Sequence, residues 1–209
     1  MNQQWLAWYV PAAERPAHLR RLKKCTQFSR VRTVNHWLVA SAELPQWRVP
    51  VNRSQGLSEE FGYLFSYCDS AQWERISSER VGWLLRNCPE HLDQLPGDFS
   101  FAHLEAMGEA RVVRSCGGLG PWHVYSSEGR IALATRLDWI ALTQPHGIEL
   151  DHLTCVTAAI GFPTTLAPRS PLKGTLSLSP GHVTLVSPLR ESRSLKYFRP
   201  EPIRLAPPS

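Results

Sequence analysis

Leu95-Pro96-Gly97-Asp98-Phe99-Ser100-Phe101 is followed by Arg111-Val112-Val113-Arg114-Ser115 and then by Gly117-Gly118-Leu119-Gly120-Pro121-Trp122-His123-Val124-Tyr125. Aromatic and β-branched residues alternate with small or polar ones, and Gly or Pro punctuates each run, which is the signature of short strands joined by tight turns. The reading predicts strands over 98–106, 110–115, 123–126 and 130–135. Met107-Gly108-Glu109 and Ser127-Glu128-Gly129 supply hairpin turns between them.

The pattern extends in both directions. Trp5–Val10 is an apolar run closed by Pro11 and reads as a buried strand. Residues 12–24 read as a helical turn or an exposed loop, Val31–Ala40 as one strand, 52–60 as a polar loop, and Phe61–Tyr67 as a strand. Ser78–Leu92 carries helical spacing at Val81, Leu84, Leu85 and Cys88, with Ser78 as N-cap and Pro89 disturbing the end. Residues 136–143 and 150–160 read as helices. Gly174–Ser179 and His182–Ser187 read as a pair of strands turning at Pro180-Gly181. Strands outnumber helices, which predicts an α+β domain with sheet on sheet and flanking helices. One domain is expected over 1–199, with a Pro-rich tail or linker stub at 200–209.

Composition sets wider bounds. The chain has 209 residues, 43% hydrophobic and 20% charged, as in a soluble globular domain. No apolar run reaches membrane-spanning length, and Met1-Asn2-Gln3-Gln4-Trp5 lacks the character of a signal peptide, so a cytoplasmic location is expected. The five cysteines stand apart, with no Cys-x-x-Cys pair, which predicts reduced, mostly buried thiols and neither a disulfide framework nor a zinc site. No metal or cofactor motif occurs. The turn Cys116-Gly117-Gly118-Leu119-Gly120 lacks the Lys-Ser/Thr of a phosphate loop.

The net charge is +5. Arg20, Arg21, Lys23 and Lys24 lie in its densest stretch, beside Arg15, Arg30 and Arg32. They form a candidate partner surface together with Trp47 and Trp73, which fall near expected loops. A solvated helix face accounts for the same run of charge. Phe28 is the one aromatic interleaved in it, so nucleic acid is the less favoured partner. Trp37, Trp83, Trp122 and Trp139 are expected in the core.

Taken in order, these segments resemble the amino-terminal glutaminase domain of the asparagine synthetase family, a class II glutamine amidotransferase of Ntn type whose relatives include β-lactam synthetases and lasso-peptide cyclases. Leu95, Gly97, Phe99, Ser100 and Phe101 match the Leu-x-Gly-x-Phe-(Ser/Ala)-Phe strand. Arg114, Gly118 and Pro121 match Arg-Asp-x-x-Gly-x-x-Pro, Leu133-Ala134-Thr135-Arg136 resembles Phe-Ala-Ser-Glu, and Leu178-Ser179-Pro180-Gly181-His182 matches Leu-x-Pro-Gly-His. The resemblance implies a four-layer α-β-β-α sandwich with two mostly antiparallel sheets.

Three departures bear on function. The family's nucleophile is a cysteine directly after the initiator Met, whose freed amine serves as base; position 2 here is Asn. The Asn-Gly-Glu motif is reduced to Phe61-Gly62-Tyr63, and losing one oxyanion donor costs about 3 kcal/mol of transition-state stabilisation. The Asp that faces the glutamine ammonium is replaced by Ser115, which follows Arg114. Phe61, Gly62, Tyr63, Arg114 and Ser115 therefore outline a degenerate glutamine pocket with no catalytic residue. Phe61 and Tyr63, two apart on a strand, are expected to close it with apolar bulk.

The family's Ser-Gly-Gly-x-Asp-Ser pyrophosphatase signature is absent from the sequence, and either a natural half-protein or an excised domain fits. The resemblance implies a binding or structural module for an ATP-dependent, amide-forming synthetase domain or subunit, with a peptide among its candidate partners. Two alternatives stand beside it: a processed amidohydrolase with Cys25 as nucleophile, and a basic-surface binder of nucleic acid or an acidic partner.

Overall fold

The computed structural model describes residues 3–43, 50–55, 58–65, 77–95, 98–117, 121–127, 129–144, 147–160 and 169–198; for 50–55 and 58–65 the description is of the backbone. Trp47, Trp73 and the tail 200–209 lie outside these residues, as do the side chains of Phe61 and Tyr63.

Strands β1 (Gln3–Tyr9), β2 (Arg30–Val34), β3 (Trp37–Glu43), β8 (His123–Ser127), β9 (Arg130–Ala134) and β10 (Thr175–Ser177) form one antiparallel sheet in the order β10-β8-β9-β1-β3-β2. Strands β4 (Pro50–Gln55), β5 (Ser58–Phe65), β6 (Asp98–Leu104), β7 (Ala110–Arg114), β11 (His182–Ser187) and β12 (Arg190–Lys196) form the other, in the order β12-β11-β7-β6-β5-β4. The helices are α1 (Arg15–Lys24), α2 (Ser78–Asn87), α3 (Leu137–Ala141) and α4 (His152–Ala159), with a 3-10 turn over Pro89–Gln94.

Three cores give the layering. Trp5, Ala7, Trp37, Val39, Trp122, Val124, Ile131 and Leu133 of the first sheet meet Ala102, Leu104, Val112 and Val186 of the second. The other face of the first sheet, through Leu6, Trp8, Leu38, Ala40 and Ala132, packs on Leu22 of α1 and Trp139 and Ile140 of α3. The outer face of the second sheet, through Phe99, Phe101, Val113 and Val183, packs on Val81, Leu84 and Leu85 of α2. The order is helix, sheet, sheet, helix, the α+β sandwich expected. Strand alternation decides the faces: Phe99 and Phe101 lie under α2, while Val112 and Val124 lie between the sheets.

Several expectations are corrected. Val31–Ala40 is a hairpin, not one strand: β2 and β3 turn at Asn35, which takes φ 51°, a left-handed conformation Asn tolerates better than most residues. Residues 52–60 are not a loop but the β4–β5 hairpin. β4 is an edge strand and β12 another; each has a single neighbour and a sequence too polar to read as a strand. Of residues 12–24, Arg15–Lys24 form helix α1 and 12–14 a turn. Ser77, not Ser78, is the N-cap of α2, which ends before Pro89 because proline cannot continue the hydrogen-bond ladder.

Trp83 is 53% exposed and not core. Cys116 is exposed, and Cys25, Cys88 and Cys155 are half-buried, so those thiols are less sheltered than expected. Pro180-Gly181 does not join a hairpin: β10 and β11 belong to different sheets, and the turn carries the chain across the end of the sandwich.

Candidate functional site at the end of the sandwich

That crossing assembles a site. Leu178 N–H donates to the Trp122 carbonyl at 2.9 Å, fastening the chain to the first sheet, and Gly181 N–H donates to the Arg114 carbonyl at 2.8 Å, fastening it to the second. Gly181 has φ +69°, and a Cβ there would stand 3.1 Å from Phe198 Cβ, so the turn needs glycine for both conformation and space. The Tyr197 hydroxyl donates to the same Arg114 carbonyl at 3.1 Å.

Arg114 ends β7 and shares the face of Val112, between the sheets. Its Nη1 donates to the Leu178 carbonyl, so the guanidinium ties the second sheet to the crossing chain. Burial lowers its pKa, and the nearby Asp98 carboxylate opposes that shift. Asp98, at the start of β6, is 2% exposed, and its carboxylate lies beneath the Cys116-Gly117 turn: a Cβ at Gly117 would come within 3.1 Å of it.

Ser115 N–H donates to the Phe99 carbonyl at 2.8 Å. Ser115 is 2% exposed, and its hydroxyl has no hydrogen-bond partner among the described residues. His123 opens β8 and shares a 3.0 Å hydrogen bond between Nδ1 and Ser177 Oγ. Burial, reinforced by the Arg114 charge, pushes its pKa down to about 4, so the ring is neutral near pH 7. Burial pushes the Tyr197 phenol up, with the negative charges of Cys116, Asp98 and Asp93 adding to it, so Tyr197 stays a neutral donor.

The start of β1 reaches the same end. Leu6 is paired with Ala134, and Ala134 with His123. Trp5 N–H donates to Thr135 Oγ1 at 3.0 Å, and Arg136 Nη1 donates to Gln4 Oε1 at 3.2 Å while the guanidinium grips Asp138 at 2.8 Å. Arg136 thus fastens the start of β1 to the first turn of α3.

The structure brings the sequence-derived pocket residues into one region of the second sheet. Tyr63 stands opposite Ser100, Ser100 opposite Arg114, and Arg114 opposite His182, in one row across four strands. Phe61 stands opposite Ala102 and Gly62 opposite Phe101. The basic residues Arg20, Arg21, Lys23 and Lys24 are elsewhere, on α1 against the outer face of the first sheet. Sequence reasoning passed over Asp98, His123 and Tyr197. Asp98 fell at a variable position of its motif, and Tyr197 had no motif to mark it.

Several of the site's polar groups are turned on the protein itself: Arg114 Nη1 on the Leu178 carbonyl, with the Asp98 charge nearby, Tyr197 on the Arg114 carbonyl, and His123 on Ser177. A separate cleft of about 580 Å³ opens beside β10, lined by Ser126, Asp151, Arg169, Lys173 and Thr175; neither Arg114 nor Ser115 borders it. No group of three or more metal-ligating side chains occurs among the described residues. No helix among them is long and apolar enough to cross a membrane.

No protein-family model matches the chain, and no curated protein sequence does. Among solved structures it is similar to glutamine phosphoribosylpyrophosphate amidotransferase from B. subtilis complexed with ADP and GMP, at 11% identity and TM-score 0.44, over 94% of this chain and 49% of that one. It is similar to the allosteric regulatory enzyme of purine biosynthesis at 11% identity and TM-score 0.43, over 94% of this chain and 43% of that one. The chain spans less than half the length of either.

Proposed function

We propose that this chain is a glutaminase-type domain that does not perform the glutaminase reaction, and that it acts as a binding or structural module for an ATP-dependent, amide-forming partner of the asparagine synthetase type. A synthetase whose amine comes from a peptide or other substrate has no need of ammonia from glutamine.

The observation that carries the reading is the state of Arg114 and Ser115. Where the resembled family holds Arg-Asp against an amino-acid substrate, Arg114 here is turned to the Leu178 carbonyl and Ser115 is buried without charge. A hydroxyl cannot neutralise an ammonium ion, and burying that ion unpaired costs several kcal/mol. No thiol stands in Met1-Asn2-Gln3-Gln4, before β1 and at its start.

The alternative nucleophile, Cys25, follows α1. Exposing it as a new terminus removes α1 and also β1, the strand that joins β9 to β3 at the centre of its sheet. That loss argues against processing at this point.

The purified chain, incubated with glutamine, should release no ammonia above a buffer control, and the Asn2→Cys variant should not restore full turnover. Robust turnover by the unmodified chain overturns the reading. Intact mass of the mature protein tests the Cys25 alternative, and co-purification with a candidate synthetase subunit tests the partner.

A further inference from the structure

Residues 11–36 carry seven Lys and Arg against one acid, Glu14; the rest of the chain carries sixteen against seventeen. The whole positive excess therefore sits on α1, the hairpin strand β2 and the turns beside them. The one acid, Glu14, is already taken up, accepting two hydrogen bonds from Arg130 at 3.0 and 3.1 Å and a contact from His18 at 3.3 Å.

Arg20, Arg21, Lys23 and Lys24 are exposed and form no ion pair with the described residues. Arg30 and Arg32 follow on β2, the outermost strand of its sheet, where partial burial, reinforced by the Arg30 charge, lowers the pKa of Arg32.

Local structure explains only part of this. Cations in the last turn of a helix interact favourably with its dipole, which accounts for Arg21, Lys23 and Lys24. The dipole equally favours acids in the first turn, and α1 has none there. Nor does it call for arginines on the neighbouring edge strand, although charge there also guards against unwanted strand pairing.

We propose that α1 and the adjoining edge strand β2 form an electrostatic docking face for an acidic protein surface or acidic peptide segment. An acidic protein partner fits better than single-stranded nucleic acid. The aromatic within the basic stretch, Phe28, is packed edge-on against Trp139 with ring centroids 4.7 Å apart, so it offers no stacking platform for bases. Such a face steers a partner and fixes its orientation, and its contribution weakens with salt. The proposal deepens the binding-module reading, and its test is independent of ammonia release: turnover by the chain would leave the face standing, and failure of the face would say nothing of turnover.

The test uses the full chain and a fluorescently labelled oligo-glutamate peptide, with oligo-glutamine and a short DNA duplex as comparison probes, read by anisotropy. The expected result is saturable binding of oligo-glutamate alone. Affinity should fall about tenfold or more in Arg20→Gln/Arg21→Gln/Lys23→Gln/Lys24→Gln, and similarly between low and physiological salt. A control variant, Arg190→Gln/Arg193→Gln/Lys196→Gln, removes three exposed cations of β12 and should bind as the parent does. If the quadruple variant loses its folded circular-dichroism signal, Arg20→Gln/Lys24→Gln replaces it, with a smaller loss expected in the same direction. Absence of oligo-glutamate binding, equal losses in the α1 and β12 variants, or tighter binding of the duplex would each overturn the proposal.

Discussion

The Tyr197 hydroxyl donates to the carbonyl of Arg114, 83 residues earlier in the chain, at 3.1 Å. The phenol is buried, and the carbonyl it holds belongs to the residue whose guanidinium ties the second sheet to Leu178. Tyr197→Phe should cost about 1 kcal/mol in urea unfolding, because Gly181 N–H still satisfies the same oxygen. The raised phenol pKa adds a pH signature. The unfolded chain loses this proton near pH 10, while the folded chain keeps it to higher pH, so stability from this group is complete below that point and declines as pH rises beyond it. Tyr197→Phe should remove that part of the alkaline loss; an unchanged alkaline profile would contradict the burial argument.

His123 works in the opposite pH range. The unfolded imidazole takes up a proton near pH 6.5, whereas the folded ring resists protonation until about pH 4. Between those values the unfolded state binds more protons. Stability should therefore be lost as the pH is lowered through this window, by at most about 1.4 kcal/mol per pH unit from this group. His123→Gln should flatten the profile between neutral and mildly acidic pH, as measured by urea unfolding at several pH values.

Ser115 has a buried hydroxyl without a protein partner, a state that costs about 1–3 kcal/mol. Ser115→Ala should therefore be neutral or slightly stabilising. Ser115→Asp should destabilise by several kcal/mol, since the new charge would be buried at a position only 2% exposed. Thermal denaturation of both variants decides this; a stabilised Asp variant would mean that the site still accepts an anion and a cationic ligand opposite it.

Gly181→Ala tests the crossing. A left-handed backbone and a 3.1 Å approach to Phe198 both oppose a side chain, and a loss of about 1–3 kcal/mol is expected. If the turn relaxes instead, the variant will unfold at the parent's temperature, and the fastening of the two sheets through this turn will prove unnecessary.

By itself the sequence determined the elements with a strong period and clear punctuation. The strands from Asp98 to Ala134 could be read because each carries an alternating apolar face and Gly-containing turns follow the first three of them. α2 could be read because its apolar residues repeat at helical spacing. The motif positions around Arg114 and Gly181 were visible because tight turns restrict residue type. Local chemistry leaves a local trace.

Tertiary structure alone decided the rest. Edge strands β4 and β12 each have one neighbour and a polar sequence without apolar alternation, which conceals them. Pro180-Gly181 looks the same in sequence whether it closes a hairpin or crosses between sheets, because the turn fixes the local path and not the strands that β10 and β11 will pair with. Asp98, Arg114, His123 and Tyr197 are spread over a hundred residues and meet only because the two sheets stack with those strand ends together; the shifted pKa values of Arg114, His123 and Tyr197 come from a burial that no short stretch of sequence encodes.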